Sequence, residues 1–280
     1  MSRTVYELDR EFPGLPKGDV SPTLTAWIHD DIDVERKNKF PAMLICPGGG
    51  YGGLSSREGE PIASAYFAAG FNCFILRYTI RPDGYYPMHL FQAAASMYMI
   101  RTHFGWNNDG RVYVIGFSAG GHLAGTIATR WNDDRLNAFF HCEKKLLRPD
   151  GMILSYSVSC CDPDSHLGSF RNYLGGEPTM EQMQEHDLRN FIGPDTPPAF
   201  IWHTGDDEAV PVHDALRMAE ALFHAGIPTE VHVFPFGPHG MAMSDMVTGA
   251  RALTRNPYVR RWFDLSLEWI RLISNDRGEA

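Results

Sequence analysis

The stretch Gly116-Phe117-Ser118-Ala119-Gly120 follows a short apolar run, Val112 to Ile115, and opens into a helical pattern. It fits G-x-S-x-G, in which a serine sits on a strand-to-helix turn so tight that the flanking positions must lack a Cβ. Such a turn holds the hydroxyl out at the C-terminal edge of a sheet. It also puts the hydroxyl at a helix N-terminus, where free amides and the dipole favour developing negative charge. Ser118 is therefore a candidate nucleophile. A serine needs a general base, usually a histidine oriented by a carboxylate, and in doubly wound sheets the chain order is serine, acid, histidine.

Both partners occur downstream in that order. The apolar run Ala199 to His203 ends in Thr204-Gly205-Asp206-Asp207-Glu208-Ala209-Val210-Pro211, and Val231 to Phe234 ends in Pro235-Phe236-Gly237-Pro238-His239-Gly240. Asp207, four residues before Pro211, is the candidate acid, with Asp206 and Glu208 as rivals that spacing does not separate. His239, set between Pro238 and Gly240, is the candidate base. Of the remaining histidines, His203 and His232 lie inside strand patterns as packed or edge residues, and His122 reads as a packing residue. Negative charge on a tetrahedral intermediate requires preorganised N–H donors. The amide of Ala119 is one, and Gly49 and Gly50 in Pro47-Gly48-Gly49-Gly50-Tyr51 are the others. A phosphate cradle would need a Gly-Lys-Ser/Thr ending or GxGxxG, and this loop has neither. No metal or organic cofactor is called for.

The elements that must position these groups alternate. Ala42 to Cys46, Asn72 to Tyr78, Arg111 to Ile115, Gly151 to Tyr156, Ala199 to His203 and Val231 to Phe234 read as buried strands. Helical patterns run from about 59 to 69, 88 to 103, after Ser118 (Leu123, Ile127, Trp131), from about 214 to 224, and through Val259, Phe263, Leu267 and Ile270. Strands alternating with helices predict a mostly parallel sheet covered on both faces. Thr23 to His29 alternates as a half-exposed strand. With the polar turn of Asp30-Asp31-Ile32-Asp33 and Arg36-Lys37-Asn38-Lys39, it is expected to form an antiparallel edge hairpin. The polar, Gly- and Pro-rich stretch 160–198 breaks the rhythm and is a candidate cap inserted in one domain, 1–280. With Tyr51, Arg57 and Glu58 it is expected to line the mouth of the site.

Composition narrows the partners. The formal net charge of -9 argues against nucleic acid or an anionic membrane as partner. No apolar run approaches the roughly 18 residues needed to span a bilayer. Five cysteines without metal-type spacing read as reduced, packed thiols. The first ten residues lack an apolar h-region, so the expected location is cytoplasmic. A homo-oligomer is compatible with all of this.

Taken together, the motifs resemble one branch of the α/β-hydrolases. Pro47-Gly48-Gly49-Gly50-Tyr51 with Arg57-Glu58-Gly59-Glu60-Pro61, Leu76-Arg77-Tyr78 and Tyr86-Pro87 carry the upstream part of the likeness. The elbow Gly116 to His122, Asp195-Thr196-Pro197-Pro198 through Pro211, and Gly237-Pro238-His239-Gly240 carry the rest. The branch is that of the acetyl-xylan-esterase-like and feruloyl-esterase-like carbohydrate esterases, close to prolyl-oligopeptidase-type catalytic domains. The resemblance covers residues 40 to 245. It implies the α/β-hydrolase fold, a Ser118–Asp207–His239 triad, and activity on small acyl esters, often acetyl groups on plant-type oligosaccharides. Two positions depart from the branch: Gln92 stands where an aspartate is usual, read as a structural contact, and Pro238 stands where glycine is commoner. Two rivals follow. One is an amide-cutting peptidase or formamidase on the same machinery; the other is a non-catalytic binding protein that keeps the fold.

Overall fold

The computed structural model describes residues 2–30, 39–249 and 252–275. Eight strands form one sheet: β1 (Ser2–Glu7), β2 (Thr23–Ile28), β3 (Phe40–Cys46), β4 (Asn72–Arg77), β5 (Asn108–Phe117), β6 (Gly151–Ser155), β7 (Ala199–Thr204) and β8 (Thr229–Phe234). Their spatial order is β1-β2-β4-β3-β5-β6-β7-β8. β3 to β8 run parallel to one another, whereas β2 is antiparallel to both β1 and β4. The chain is an α/β-hydrolase in fold, as its sequence resemblance implies.

The central strands are apolar at consecutive positions because both faces are covered, and the pleat sorts alternate residues to opposite sides. Leu44, Val114, Leu154 and Ile201 join one buried cluster with α3 (Met88–Thr102), α4 (Ala119–Arg130) and α8 (Val212–His224). Ile45, Ile115, Ile153 and Trp202 join the other, with α2 (Glu60–Ala68) and α9 (Arg261–Asn275). Gln92 on α3 makes the structural contact its position suggested. Its Oε1 accepts the Thr79 N–H at 2.9 Å, and its Nε2 donates to Thr79 Oγ1 and to the Pro16 carbonyl.

The edge differs from the expected hairpin. The partner of β2 on its outer side is β1, whose first four residues are exposed and carry no buried alternation to betray them. Its inner partner is β4 rather than the strand that follows it in sequence. The polar turn 31–38 lies outside the described residues. The cause is topological: after β3 the chain places β4 on one side and, returning, β5 on the other. Both edges of β3 are thereby used, and β2 can pair only with β4. That reversal of strand order at β3 is a switch point, where loops at the C-terminal strand ends part and leave a crevice. The loops carrying Gly49 and Ser118 leave β3 and β5 at this crevice.

Candidate active site

Ser118 joins β5 to α4 with φ 54° and ψ -124°. A non-glycine residue there is strained, at about 1–3 kcal/mol, and persists only if its surroundings fix it. The neighbouring glycines show how. A Cβ on Gly116 would lie 2.0 Å from the Gly120 carbonyl oxygen, and one on Gly120 would lie 2.1 Å from the Cys46 carbonyl oxygen. Ser118 itself donates its N–H to the Ser155 carbonyl, and its carbonyl accepts from Gly121, His122 and Val158. Strand, helix and the end of β6 thus clamp one residue.

The candidate acid comes from the loop after β7. Asp207 is buried, and its Oδ1 accepts the N–H groups of Ala209 and Val210 at 2.9 and 3.0 Å. This fixes the carboxylate so that Oδ2 meets His239 Nδ1 at 2.7 Å. On the other edge of the ring, Nε2 lies 2.9 Å from Ser118 Oγ. With Nδ1–H donating to Asp207, the unprotonated Nε2 faces the hydroxyl as an acceptor. The rivals to Asp207 are used elsewhere: Asp206 is exposed and accepts the Gly237 N–H at 2.5 Å, and Glu208 is exposed. His203 also approaches Asp207, but its Nε2 donates to the Val210 carbonyl and stands 3.9 Å from Oδ2. Burial pushes its pKa down to about 4, which keeps the ring neutral.

The loop after β3 lies opposite. Gly49 and Gly50 take φ values of 132° and 63°. Their N–H groups, and that of Ala119 at the first turn of α4, donate to no acceptor among the described residues. Gly48 N–H donates to Glu58 Oε2 at 2.8 Å, and Glu58 Oε1 accepts from the Tyr156 hydroxyl at 2.8 Å. That hydroxyl accepts the Ala242 N–H at 3.0 Å, beyond His239, and the Tyr156 ring sits edge-on to the His239 ring, 5.1 Å away. A buried strut therefore joins the glycine loop to the histidine loop. Burial is the largest influence on Glu58 and raises its pKa against the opposing effect of these hydrogen bonds.

A cavity of about 370 Å³ opens over Ser118, walled by Gly49, Gly50, Arg57, Glu58, His166, Val210 and His239. A larger groove, about 640 Å³, also borders His239, beside Phe236 and Asn256. Of the residues expected at the mouth, Arg57 lines the cavity half-exposed, whereas Glu58 borders it from beneath, with its carboxylate buried in the strut. Tyr51 is not at the mouth. Its ring is fully buried, its hydroxyl is 2.7 Å from His122 Nδ1, and it packs against Tyr78, His89 and Tyr173. The backbone at Tyr51 is left-handed (φ 58°), continuing the turn begun by Gly50, and this swings the side chain under the loop rather than over it. His122 is a packing residue, held neutral by burial with its pKa lowered to about 4.

Two contributors had no usable signal in the sequence. Tyr156 ends a buried strand run and looked like core. His166 lies in the irregular stretch 160–198, whose side-chain directions no periodicity reveals. That stretch contains α6 (Leu167–Leu174) and α7 (Met180–Gln184) and reaches the glycine loop through Asn172, whose Nδ2 donates to the Gly50 carbonyl at 2.7 Å. The nearest approach to a metal-ligand set among the described residues is Cys160, Asp162 and Asp187. Asp162 and Asp187 pair with Arg189, at 3.0 and 2.6 Å, and Asp187 also accepts the Cys161 N–H, so the cluster is an ion-pair network. All five cysteines are free, and four are buried.

The profile of the BD-FAE family matches residues 31–222. Endo-1,4-beta-xylanase B of Butyrivibrio fibrisolvens is 38% identical over 229 residues, covering 80% of this chain and 35% of that protein. An acetylxylan esterase of Xylanibacter ruminicola is 30% identical over 207 residues, covering 71% of this chain and 40% of that protein. The chain thus spans well under half the length of these two relatives. Among solved structures, an acetyl ester-xyloside bifunctional hydrolase from Caldicellulosiruptor lactoaceticus superposes with a TM-score of 0.81 at 30% identity, covering 97% of this chain and 96% of that one. Carboxylesterase Cest-2923 from Lactobacillus plantarum WCFS1 gives 0.81 at 28% identity, with 97% of each chain covered.

Proposed function

The chain belongs to the BD-FAE family of α/β-hydrolases, and from that premise we propose that it is a serine esterase that removes acetyl or other small acyl groups from carbohydrate esters. The observation that carries this reading is the hydrogen-bonded chain from Ser118 through His239 to Asp207, facing free amides across one cavity. His239 Nε2 takes the Ser118 proton as Oγ attacks the ester carbonyl. The carbonyl oxygen becomes an oxyanion held by the N–H groups of Gly49, Gly50 and Ala119, an arrangement worth several kcal/mol of barrier. His239, now a cation stabilised by Asp207, returns its proton to the departing alcohol, leaving an acyl-serine. Water, deprotonated by the same histidine, then attacks the acyl-serine, and His239 passes that proton to Ser118 Oγ as the acid is released.

The substrate class is supported by the size of the cavity and by two of the relatives, one named an acetylxylan esterase and one an acetyl ester-xyloside hydrolase. Segment 160–198 acts as a cap in this reading, since it contributes His166 to the cavity wall and grips Gly50 through Asn172.

Hydrolysis of 4-nitrophenyl acetate and of acetylated xylo-oligosaccharides tests the proposal. Ser118→Ala is expected to lower kcat by about 10⁴-fold or more, and Asp207→Asn by about 10⁴-fold through the wrong histidine tautomer. Glu208→Gln, exposed and outside the chain of hydrogen bonds, should stay within about threefold of wild type. Retention of full activity by Ser118→Ala would overturn the reading. Faster turnover of matching acetanilides than of esters would move it toward an amidase.

A further inference from the structure

His166 sits immediately before α6, half-buried in the wall of the cavity over Ser118. Its position is fixed on both sides. Ser165 Oγ donates to buried Asp214 Oδ1 at 2.7 Å, and His166 Nδ1 accepts the Ser169 N–H at 3.3 Å, with Ser169 Oγ 2.9 Å away. A backbone N–H can only donate, and a hydroxyl can rotate to donate as well. Both contacts are satisfied together only if Nδ1 is unprotonated, which assigns the ring proton of the neutral imidazole to Nε2. Burial is the largest influence on the ring, followed by the nearby His239, and both lower its pKa and favour that neutral form. Nε2 has no hydrogen-bond partner among the described residues, and it is not sealed in the interior among the buried atoms that lack one. The cavity wall therefore carries a held, neutral N–H donor, open to solvent, that the acyl-transfer steps do not use.

The donor needs an acceptor on the substrate. The ester carbonyl oxygen is taken by the glycine-loop amides, the bridging ester oxygen faces His239, which must protonate it, and an acetyl methyl has no acceptor. The remaining acceptors are the hydroxyl and ring oxygens of the alcohol part. We propose that His166 Nε2–H donates to a hydroxyl oxygen on the sugar that bears the scissile acyl group, making His166 a specificity-determining residue supplied by segment 160–198. This inference rests on the esterase reading for its substrate and not for its test. A site built around such a donor rejects analogues lacking the acceptor more strongly than an apolar wall would.

The measurement that decides it is calorimetric binding of acetylated xylo-oligosaccharides to the Ser118→Ala protein, where turnover is removed. Adding His166→Phe should weaken binding about tenfold, the usual scale for one lost hydrogen bond in a desolvated site, and His166→Gln should recover most of it. In the otherwise native enzyme, His166→Phe should raise KM for the sugar ester and cut its kcat/KM about tenfold further than that for 4-nitrophenyl acetate, which has no sugar hydroxyl. Unchanged binding in the Ser118→Ala background, no detectable binding at all, or equal proportional losses on both esters would each overturn it. Failure of the esterase reading looks different: wild type would leave both esters intact, while the binding arm would still decide His166.

Discussion

The glycine loops around Ser118 and the segment 160–198 face each other across the cavity, and they are held in place by different physics. On the elbow side the constraints are contacts between backbone atoms: a Cβ on Gly120 would come within 2.1 Å of one carbonyl oxygen and 2.4 Å of another. On the other side they are side-chain interactions. Arg189 bridges Asp162 and Asp187, Arg217 bridges Asp162 and Asp164, and Asp214 gathers Ser165 Oγ and the Ser159 and Cys160 amides. Backbone contacts set positions to a few tenths of an ångström and do not titrate. Side-chain networks hold a segment in place but can be rebuilt, residue by residue, without disturbing the sheet. In the proposed enzyme, chemistry lies on the first side and choice of substrate on the second.

The sharpest way to break this contrast is a methyl group. Gly120→Ala is expected to cost about 3 kcal/mol or more through overpacking against immovable backbone, and to lower kcat at least about 100-fold by displacing Ser118. Gly193→Ala, in the segment, should change stability by no more than about 0.5 kcal/mol, since a Cβ there meets nothing within 4 Å. Chemical denaturation of both variants checks this; equal losses would mean that the two sides are equally constrained.

A smaller effect comes from the strut beneath the loops. Tyr156→Phe removes the donor to Glu58 and the acceptor for the Ala242 N–H. Leaving buried polar groups unpaired should cost about 1–3 kcal/mol, and loosening both loops should cost about tenfold in kcat with little change in KM. Stability and steady-state kinetics measured on one preparation test whether the strut positions the site or only braces the fold.

A third effect is a pH slope from the segment. Burial is the main cause that raises the Asp214 pKa to about 7, from an ordinary value of 3.8. The native state thus prefers the protonated form. The group's contribution to stability is full below about pH 4, falls as pH rises toward 7 by at most about 1.4 kcal/mol per unit, and is flat above. Asp214→Asn should reduce that slope and narrow the difference between melts at pH 5 and pH 8. Glu58, whose pKa is raised in the same direction, should leave part of the slope in place. An unaltered slope would remove Asp214 as the titrating anchor of the segment.

Those parts of this protein that repeat with a period or need a special backbone are readable in its residues. Consecutive apolar residues marked the strands covered on both faces. Helical spacing marked α2, α3, α4, α8 and α9, although Val259 proved to precede α9. Glycines flanking Ser118 were legible because no other residue fits that turn. Position relative to strand ends was enough to single out His239. The rest depends on contacts between parts of the chain far apart in sequence. Asp206, Asp207 and Glu208 are chemically near-equivalent neighbours, and only the direction of each carboxylate, set by the amides of Ala209, Val210 and Gly237, separates them. β1 carries no buried face and became a strand only because β2 offered it an open edge. Tyr51 left the role its loop suggested by turning under it, and which residue of segment 160–198 would line the cavity, His166, was settled only by packing. A side chain in an irregular loop has no periodicity to aim it, so its direction comes from packing partners far away in the chain.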